Sequence, residues 1–322
     1  MNDIKKIFFE EGFVTRQKIL SSHEANKIDL EYKKFLSDKN SWADLTEHKT
    51  KAHLFFPWAN KLIRNERVLN LASQVLGENF YCWNSLIFYK KARSKQFVSM
   101  HQDQNYWGIK HDKAISIQVA ISNSNENNGC LKLIPKSHVE NFEHKDFFNL
   151  NNILARGQSI SPNEINKNKL INIDLNKGEC CMFHGNIVHG SYENKSNEPR
   201  FLFTMRFLST DNKIQNKYYY NSATLVKGED KYNYFDKENT IENSSVEKLR
   251  RIHKKTIIMQ FNKYLNLKIK NKFLSNFLMF FFKIDILRGF FYKIIKKICQ
   301  ILFLDFIINK SIRTELGCGG RI

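Results

Sequence analysis

The chain has few of the residues that mark several protein classes. Its 322 residues include only four prolines and thirteen glycines, which argues against a low-complexity chain. The six cysteines form no CxxC pair, so we expect neither a zinc ribbon nor a disulfide framework, but reduced thiols in a cytoplasmic protein. The apolar run in the opening MNDIKKIFFEEGF is three residues long, and we therefore expect no signal peptide.

Long hydrophobic runs are also missing, and the positive charge is unevenly distributed. The net charge is +19, of which residues 251–322, with fifteen Lys/Arg against three Asp/Glu, carry +12. Charges interrupt this tail so often that no stretch approaches the roughly 20 apolar residues of a spanning helix. Its basic residues alternate with long aliphatic side chains instead of stacking aromatic groups, so we expect no nucleic-acid binding.

The segment 273–310 within this tail has an amphipathic pattern. Lys293, Lys296 and Lys297 fall on one face of a helix, whereas isoleucines and a leucine fall on another. Such a helix can lie on an anionic membrane surface, here the inner membrane face. It can equally pack its apolar face on the rest of the protein or on a second subunit. The sequence does not decide between membrane binding and packing, and it does not determine the oligomeric state.

Short strands dominate the sequence from Phe80 to about Leu208. Segments such as AISIQVAIS, LINIDL and RFLFTMRFL are rich in β-branched or aromatic residues and are separated by Asn, Gly, Lys and Ser turns. Before them, Ser21 and Glu24 have the spacing of a helix capping box, and Gly77 stands where a second helix should end. We expect a mainly β fold with flanking helices, built on a sandwich or jelly roll.

The chain divides by composition into two regions. We expect a domain at 1–225, formed by the strands and the helices before them. A polar linker and a basic, amphipathic helical appendage follow at 226–322.

The stretch SMHQDQNYWG places His101 and Asp103 two residues apart. On a strand both side chains would point to the same face and offer two adjacent metal ligands. His184 or His189 could supply the third. Two imidazoles and one carboxylate with open positions form the arrangement of non-haem Fe(II) oxygenases. Arg200, eleven residues after His189, could hold the distal carboxylate of a 2-oxoacid cosubstrate.

Other functions remain compatible with an HxD pair. A cupin-like barrel can hold zinc or iron for hydrolysis or isomerisation, which needs no arginine for a cosubstrate. A catalytically degenerate barrel could serve as a binding module. Arg200 favours the oxygenase over the hydrolase or isomerase, and the three intact ligand candidates disfavour the degenerate barrel.

Four motifs in order carry a family resemblance. The sequence resembles the phytanoyl-CoA dioxygenase family of Fe(II)/2-oxoglutarate oxygenases, whose HxD and later HGS with an arginine are matched by HQDQNYW and HGSYENKSNEPR. NNGCLKLIPKSHV looks like that family's NG.L...PGSH strand and turn, with Lys136 where glycine is usual, and NKGECCMFHG looks like its GD...FH turn. The resemblance runs from EEGFV to about Thr210.

The resemblance implies a double-stranded β-helix, a cupin-like jelly roll, with the N-terminal helices packed outside. It also implies that His101, Asp103 and His189 bind Fe(II), and that Arg200 and Ser191 hold the distal carboxylate of 2-oxoglutarate, with O2 as the second cosubstrate. The expected reaction is hydroxylation of a small-molecule or lipid-type substrate, with succinate and CO2 as co-products.

Three further positions follow from the same resemblance. Lys90 or Lys91 falls where some members place a lysine near the cosubstrate. Gln118 lies where members often carry tryptophan, so we expect a more polar cosubstrate wall. Asp103 favours hydroxylation, since related halogenases leave its position to a small residue so that chloride can bind iron.

Overall fold

The computed structural model describes residues 4–38, 41, 46–107, 113–146, 149, 151–154, 157–213, 222–241 and 244–254. The amphipathic segment 273–310 lies outside these residues, as does most of the expected C-terminal appendage. Among the described residues, no helix has the length and apolar character needed to cross a membrane.

Before residue 245 the described part of the chain has five α-helices, and those near the start begin and end as their sequences indicate. The Ser21 side chain accepts a hydrogen bond from the Glu24 amide, and the Glu24 carboxylate accepts one from the Ser21 amide, which confirms the capping box. Gly77, with φ of 80°, ends the fourth helix. The helices are α1 (Ile4–Glu11), α2 (Ser22–Ser37), α3 (Pro57–Leu62), α4 (Glu66–Leu76) and α5 (Gln104–Trp107).

The strands form two main sheets and a small hairpin, as expected for a jelly roll. The large sheet has the order β1-β9-β4-β11-β2-β12-β13, the second has the order β3-β10-β5-β8, and β6 pairs with β7. All of these pairings are antiparallel except that of β12 with β13. The strands are β1 (Phe13–Lys18), β2 (Phe80–Lys90), β3 (Val98–His101), β4 (Ala114–Ala120), β5 (Leu131–Leu133), β6 (His144–Asp146), β7 (Gln158–Ile160), β8 (Ile171–Ile173), β9 (Glu179–His184), β10 (His189–Ser191), β11 (Arg200–Ser209), β12 (Ser222–Lys227) and β13 (Asp236–Lys237).

Strand β11 has one face in the hydrophobic core and the other in the pocket between the sheets. Its side chains alternate between the two faces of the sheet. Phe201 and Phe203 pack on the helical layer, with ring centroids 4.8 Å from Tyr32 and 5.0 Å from Trp58 respectively. The opposite face of the same strand is more polar and lines the interior between the sheets; it carries Arg200, Leu202, Thr204 and Arg206. One strand therefore supports the core and the pocket together.

Described residues beyond position 225 also contact the jelly roll. Strand β12 continues through residue 225 and pairs with β2. Glu238 forms a buried ion pair with Lys51, and Leu249, in a helical stretch at 246–254, is part of the main core. The division at residue 225 stays a prediction.

Candidate functional site

A pocket lies between the two sheets. The large sheet contributes polar and charged side chains from β4 and β11, and the smaller sheet contributes residues of β3, β5 and β10. Apolar side chains form the rest of the wall; they are Phe88, Val98, Leu131, Leu154 and Phe183. The pocket is thus a largely apolar cavity with a few convergent polar groups, which is the usual make-up of a ligand site.

His101, Asp103 and His189 meet in this pocket. His189 of β10 is the register partner of His101 of β3, and their ring centroids are 4.3 Å apart. The two Nε2 atoms lie 3.4 Å and 3.8 Å from the Asp103 carboxylate oxygens. One candidate ligand atom from each residue lies within 4.8 Å of the others. Asp103 follows the end of β3 in a bend, so the shared face of a strand does not explain its position.

Both imidazoles are oriented by backbone carbonyls. Nδ1 of His101 lies 2.8 Å from the Ser99 carbonyl, and Nδ1 of His189 lies 3.0 Å from the Ile187 carbonyl. A carbonyl can only accept, so each Nδ1 carries the proton and each Nε2 keeps its lone pair for a metal. Burial, together with the nearby His101, lowers the pKa of His189 to about 4. His189 is therefore neutral near pH 7, as a metal ligand must be.

Arg206 holds the carboxylate of Asp103. Its Nη2 donates to both oxygens, at 2.9 Å and 2.8 Å. Burial alone would raise the pKa of Asp103, but the Arg206 guanidinium and the two histidines outweigh burial and hold that pKa well below its usual range. The guanidinium also lies 4.7 Å above the centroid of the Trp107 ring. The motifs did not assign this role to Arg206.

Arg200 and Lys90 form a buried pair of basic side chains elsewhere in the site. They are register partners on β11 and β2, and their exposed fractions are 2% and 0%. The ammonium of Lys90 donates to Ser191 Oγ at 2.8 Å and to the Tyr192 carbonyl. Among the described residues, no carboxylate forms an ion pair with either cation. Lys91, the other candidate lysine, is exposed.

Burial and charge act together on this pair. Burial lowers the pKa of Lys90 to about 6, with a further contribution from the Arg200 charge. Burial also lowers the pKa of Arg200 to about 10. A folded chain keeps two such groups buried on neighbouring strands only at a cost in free energy, which an anionic ligand would offset.

Three buried polar atoms of the pocket have no hydrogen-bond partner within the described part of the chain. They are Oε1 of Gln118, Nε of Arg200 and Nε of Arg206. The amide nitrogen of Gln118 donates to Thr204 at 2.8 Å, so this wall is polar, as the sequence predicts. Since an unsatisfied buried group costs about 1–3 kcal/mol, the pocket is suited to a polar ligand. The donor set thus fits a divalent metal together with an anionic cosubstrate.

The remaining histidine candidate is a core residue. Nδ1 of His184 accepts a hydrogen bond from the Asn186 amide at 3.0 Å, and its ring packs against Phe8 and His138. His184 is not among the residues that line the pocket. The sequence preference for His189 over His184 agrees with this geometry.

Gln102, between the two motif ligands, was not recognised from the sequence. Its side-chain amide donates to the carbonyls of Glu140 and Asn186, both at 2.7 Å, and accepts from the Phe142 amide at 3.1 Å. Its own backbone amide donates to Nε2 of His144 at 2.8 Å. These bonds fix the segment that carries the candidate ligands to the chain around the start of β6 and to the turn between β9 and β10.

Comparisons with known proteins point the same way. The profile of the family described as Phytanoyl-CoA dioxygenase (PhyH) matches residues 8–202. The chain is 22% identical over 226 residues to a probable alpha-ketoglutarate-dependent hypophosphite dioxygenase of Stutzerimonas stutzeri, covering 63% of this chain and 77% of that protein. It is 25% identical over 227 residues to an ectoine dioxygenase of Streptomyces coelicolor, covering 63% and 75%.

A solved structure supports the fold independently. The apo form of the non-heme monooxygenase ThoJ superimposes with a TM-score of 0.70 at 22% sequence identity, covering 84% of this chain and 100% of that one. The family match spans well over half of the chain, and the His-Asp-His cluster lies within the matched fold. The chain therefore belongs to the phytanoyl-CoA dioxygenase family and is an Fe(II)- and 2-oxoglutarate-dependent dioxygenase.

Proposed function

We propose that this dioxygenase hydroxylates a small-molecule or lipid-type substrate, and that His101, Asp103 and His189 are its iron ligands. The substrate C–H bond, O2 and 2-oxoglutarate would yield the alcohol, succinate and CO2. The observation that carries the proposal is the convergence of three ligand atoms within 4.8 Å in a pocket that is also lined by the buried Arg200, the register partner of the buried Lys90. When bound, Fe(II) supplies the coordination and the electrons that O2 activation requires.

The cosubstrate would lie along β11. Arg200 and Lys90 would bind its distal carboxylate by charge-assisted hydrogen bonds, and Ser191, 2.8 Å from the Lys90 ammonium, would complete the cradle. Phe183 and Leu131, which line the same pocket, would keep water away from the reacting groups. The amide of Gln118 offers polar contact to the middle of the cosubstrate.

Asp103, Arg200 and Lys90 favour hydroxylation over halogenation and over metal-dependent hydrolysis. Asp103 keeps a carboxylate at the position that a halogenase would leave to chloride. Metal-dependent hydrolysis would give Arg200 and Lys90 no anion to bind, although both are buried and neither forms an ion pair with a carboxylate of the described chain.

The proposal is tested by Fe(II) stoichiometry and by Fe(II)-dependent succinate formation with candidate substrates. We expect His101→Ala and Asp103→Ala to lose tight iron binding and succinate formation together. His23→Ala, at an exposed position on α2, is the matched control and should retain both. Stoichiometric tight zinc in the wild-type chain, with no 2-oxoglutarate binding, would contradict the proposal.

For the tail, we propose peripheral contact with an anionic membrane at the cytoplasmic face through residues 273–310. The support is the joint presence of basic charge and Phe/Ile/Leu side chains in the sequence. Each basic residue near an anionic leaflet contributes about 1 kcal/mol. Cosedimentation with anionic and neutral vesicles should show salt-sensitive binding of the full chain and none for a version that ends at Lys254. Binding that ignores lipid charge would contradict this proposal, and loss of dimers on truncation would instead favour a subunit interface.

A further inference from the structure

Arg200 and Arg206 lie six residues apart on one strand that borders the pocket of the candidate metal site. Both side chains are on the interior face of β11 and line the same pocket. A strand rises roughly 3.3 Å per residue, so their Cα atoms are about 20 Å apart. Arg200 is paired in register with Lys90, whereas Arg206 contacts Asp103. The proposed cosubstrate residues and Arg206 therefore lie at different ends of the interior face of β11, and Arg206 is the one that contacts a candidate ligand.

The hydrogen bonds of Arg206 leave part of its guanidinium unused. A single nitrogen, Nη2, makes both contacts to the Asp103 carboxylate. Nε is buried and has no acceptor among the described residues. If Arg206 served only to hold the carboxylate, a two-nitrogen fork would satisfy both groups at once. In the observed geometry the guanidinium can still donate hydrogen bonds to a ligand in the pocket. Its contact with the Trp107 ring fixes the plane of the guanidinium.

The charges of the pocket also favour an anionic group beside Arg206. Asp103 offsets one of the two arginine charges, and the 2-oxoglutarate dianion offsets Fe(II). The loaded site thus keeps at least one positive charge, and a protonated Lys90 would add another. Because burial makes an unbalanced charge costly, this excess favours a primary substrate that brings a negative charge of its own.

We infer that Arg206 binds an anionic group of the primary substrate, a carboxylate or a phosphate-type oxyanion, and so places the substrate on the Asp103 side of the metal. The inference rests on the proposed function and adds the substrate class to it. It makes Arg206 a specificity-determining residue, distinct from the cosubstrate residues Arg200 and Lys90.

Binding to the full-length chain tests this inference without turnover. The protein is loaded with Fe(II) and saturating 2-oxoglutarate without O2, and changes in the visible Fe(II)–2-oxoglutarate absorption band report binding. The probes share one chain length: hexanoate, hexylphosphonate, hexanamide and hexylamine. We expect the two anions to shift the band and to bind at least tenfold more tightly than the amide, with the amine weakest.

Variants of Arg206 test whether this side chain causes the preference for anionic probes. Arg206→Gln should keep the band and lose the preference for anions, and Arg206→Lys should keep part of it. Arg67→Gln, at an exposed arginine of α4, is the matched control and should behave as the wild type. If Arg206→Gln fails to bind iron, Arg206→Lys decides by the same measurement.

Several results would overturn the inference. They are equal binding of the anions and the amide by the wild type, an undiminished preference in Arg206→Gln, and anions that only bleach the band by displacing 2-oxoglutarate. Loss of iron from both Arg206 variants would show that the residue serves only to hold Asp103. A wild-type chain that forms no band at all would contradict the proposed function instead.

Discussion

Arg200 is a buried cation that nothing in the described chain neutralises. We expect Arg200→Met to weaken 2-oxoglutarate binding about 10- to 150-fold, since a hydrogen bond to a charged group contributes about 1.5–3 kcal/mol. Iron binding should remain, because Arg200 contacts none of the three ligands. The thermal midpoint of the ligand-free protein should not fall, since the variant removes an unpaired buried charge. Anaerobic titration and thermal unfolding measure both effects, with Arg67→Met as the control; unchanged 2-oxoglutarate affinity would exclude this role.

Lys90 should make cosubstrate binding depend on pH. Its pKa of about 6, lowered by burial and by Arg200, leaves the amine largely neutral near pH 7. A bound dianion favours the ammonium form, so binding should take up a proton, and affinity should fall as pH rises above about 6. Calorimetry in buffers of different ionisation enthalpy measures that proton, and Lys90→Met should abolish it. Binding without proton uptake in the wild type would contradict the assignment.

At the scale of the element, the hydrogen bonds of Gln102 hold the segment that follows β3 in place. Gln102 is fully buried, and Gln102→Leu would remove the donor to the carbonyls of Glu140 and Asn186. We expect a loss of about 1–3 kcal/mol in unfolding free energy and weaker iron binding, because the residue lies between two ligands. Urea unfolding and iron titration measure the two effects. Gln74→Leu, on the exposed side of α4, should change stability by less than about 0.5 kcal/mol; equal effects of both variants would show that the network is dispensable.

The elements that the sequence predicts well are those fixed by neighbours along the chain. The Ser21 capping box and the Gly77 helix end depend on residues a few positions apart, and both are confirmed. Lys136 departs from the family glycine yet adopts a left-handed φ of 64°, so the expected turn still forms there. The contact of Arg206 with Asp103 joins residues 103 positions apart. No local pattern encodes such a pair, and only the pairing of strands brings it together.

For the molecule as a whole, a second buried ionic cluster joins distant parts of the chain. Lys51 and His53 lie in a segment beside β2, and both contact the carboxylate of Glu238, which directly follows β13. Thr224 of β12 donates to the same carboxylate at 2.7 Å. Burial alone would raise the pKa of Glu238, but Lys51 and His53 outweigh it and hold that pKa well below its usual range. The cluster therefore fastens β12 and the residue after β13, at the edge of the large sheet, to the segment of Lys51 and His53.

Glu238→Gln should destabilise the whole fold, because it removes the buried carboxylate with which Lys51 and His53 form ion pairs. We expect a loss of about 3–5 kcal/mol near neutral pH, whereas Glu247→Gln, at an exposed pair with Arg251, should change stability by less than about 1 kcal/mol. A carboxyl group with a depressed folded pKa contributes stability above its unfolded pKa, here 4.5, and loses it as pH falls further. Urea unfolding should therefore show the gap between wild type and Glu238→Gln narrowing below about pH 4.5. An unchanged unfolding free energy at neutral pH would instead support a domain that is complete at residue 225.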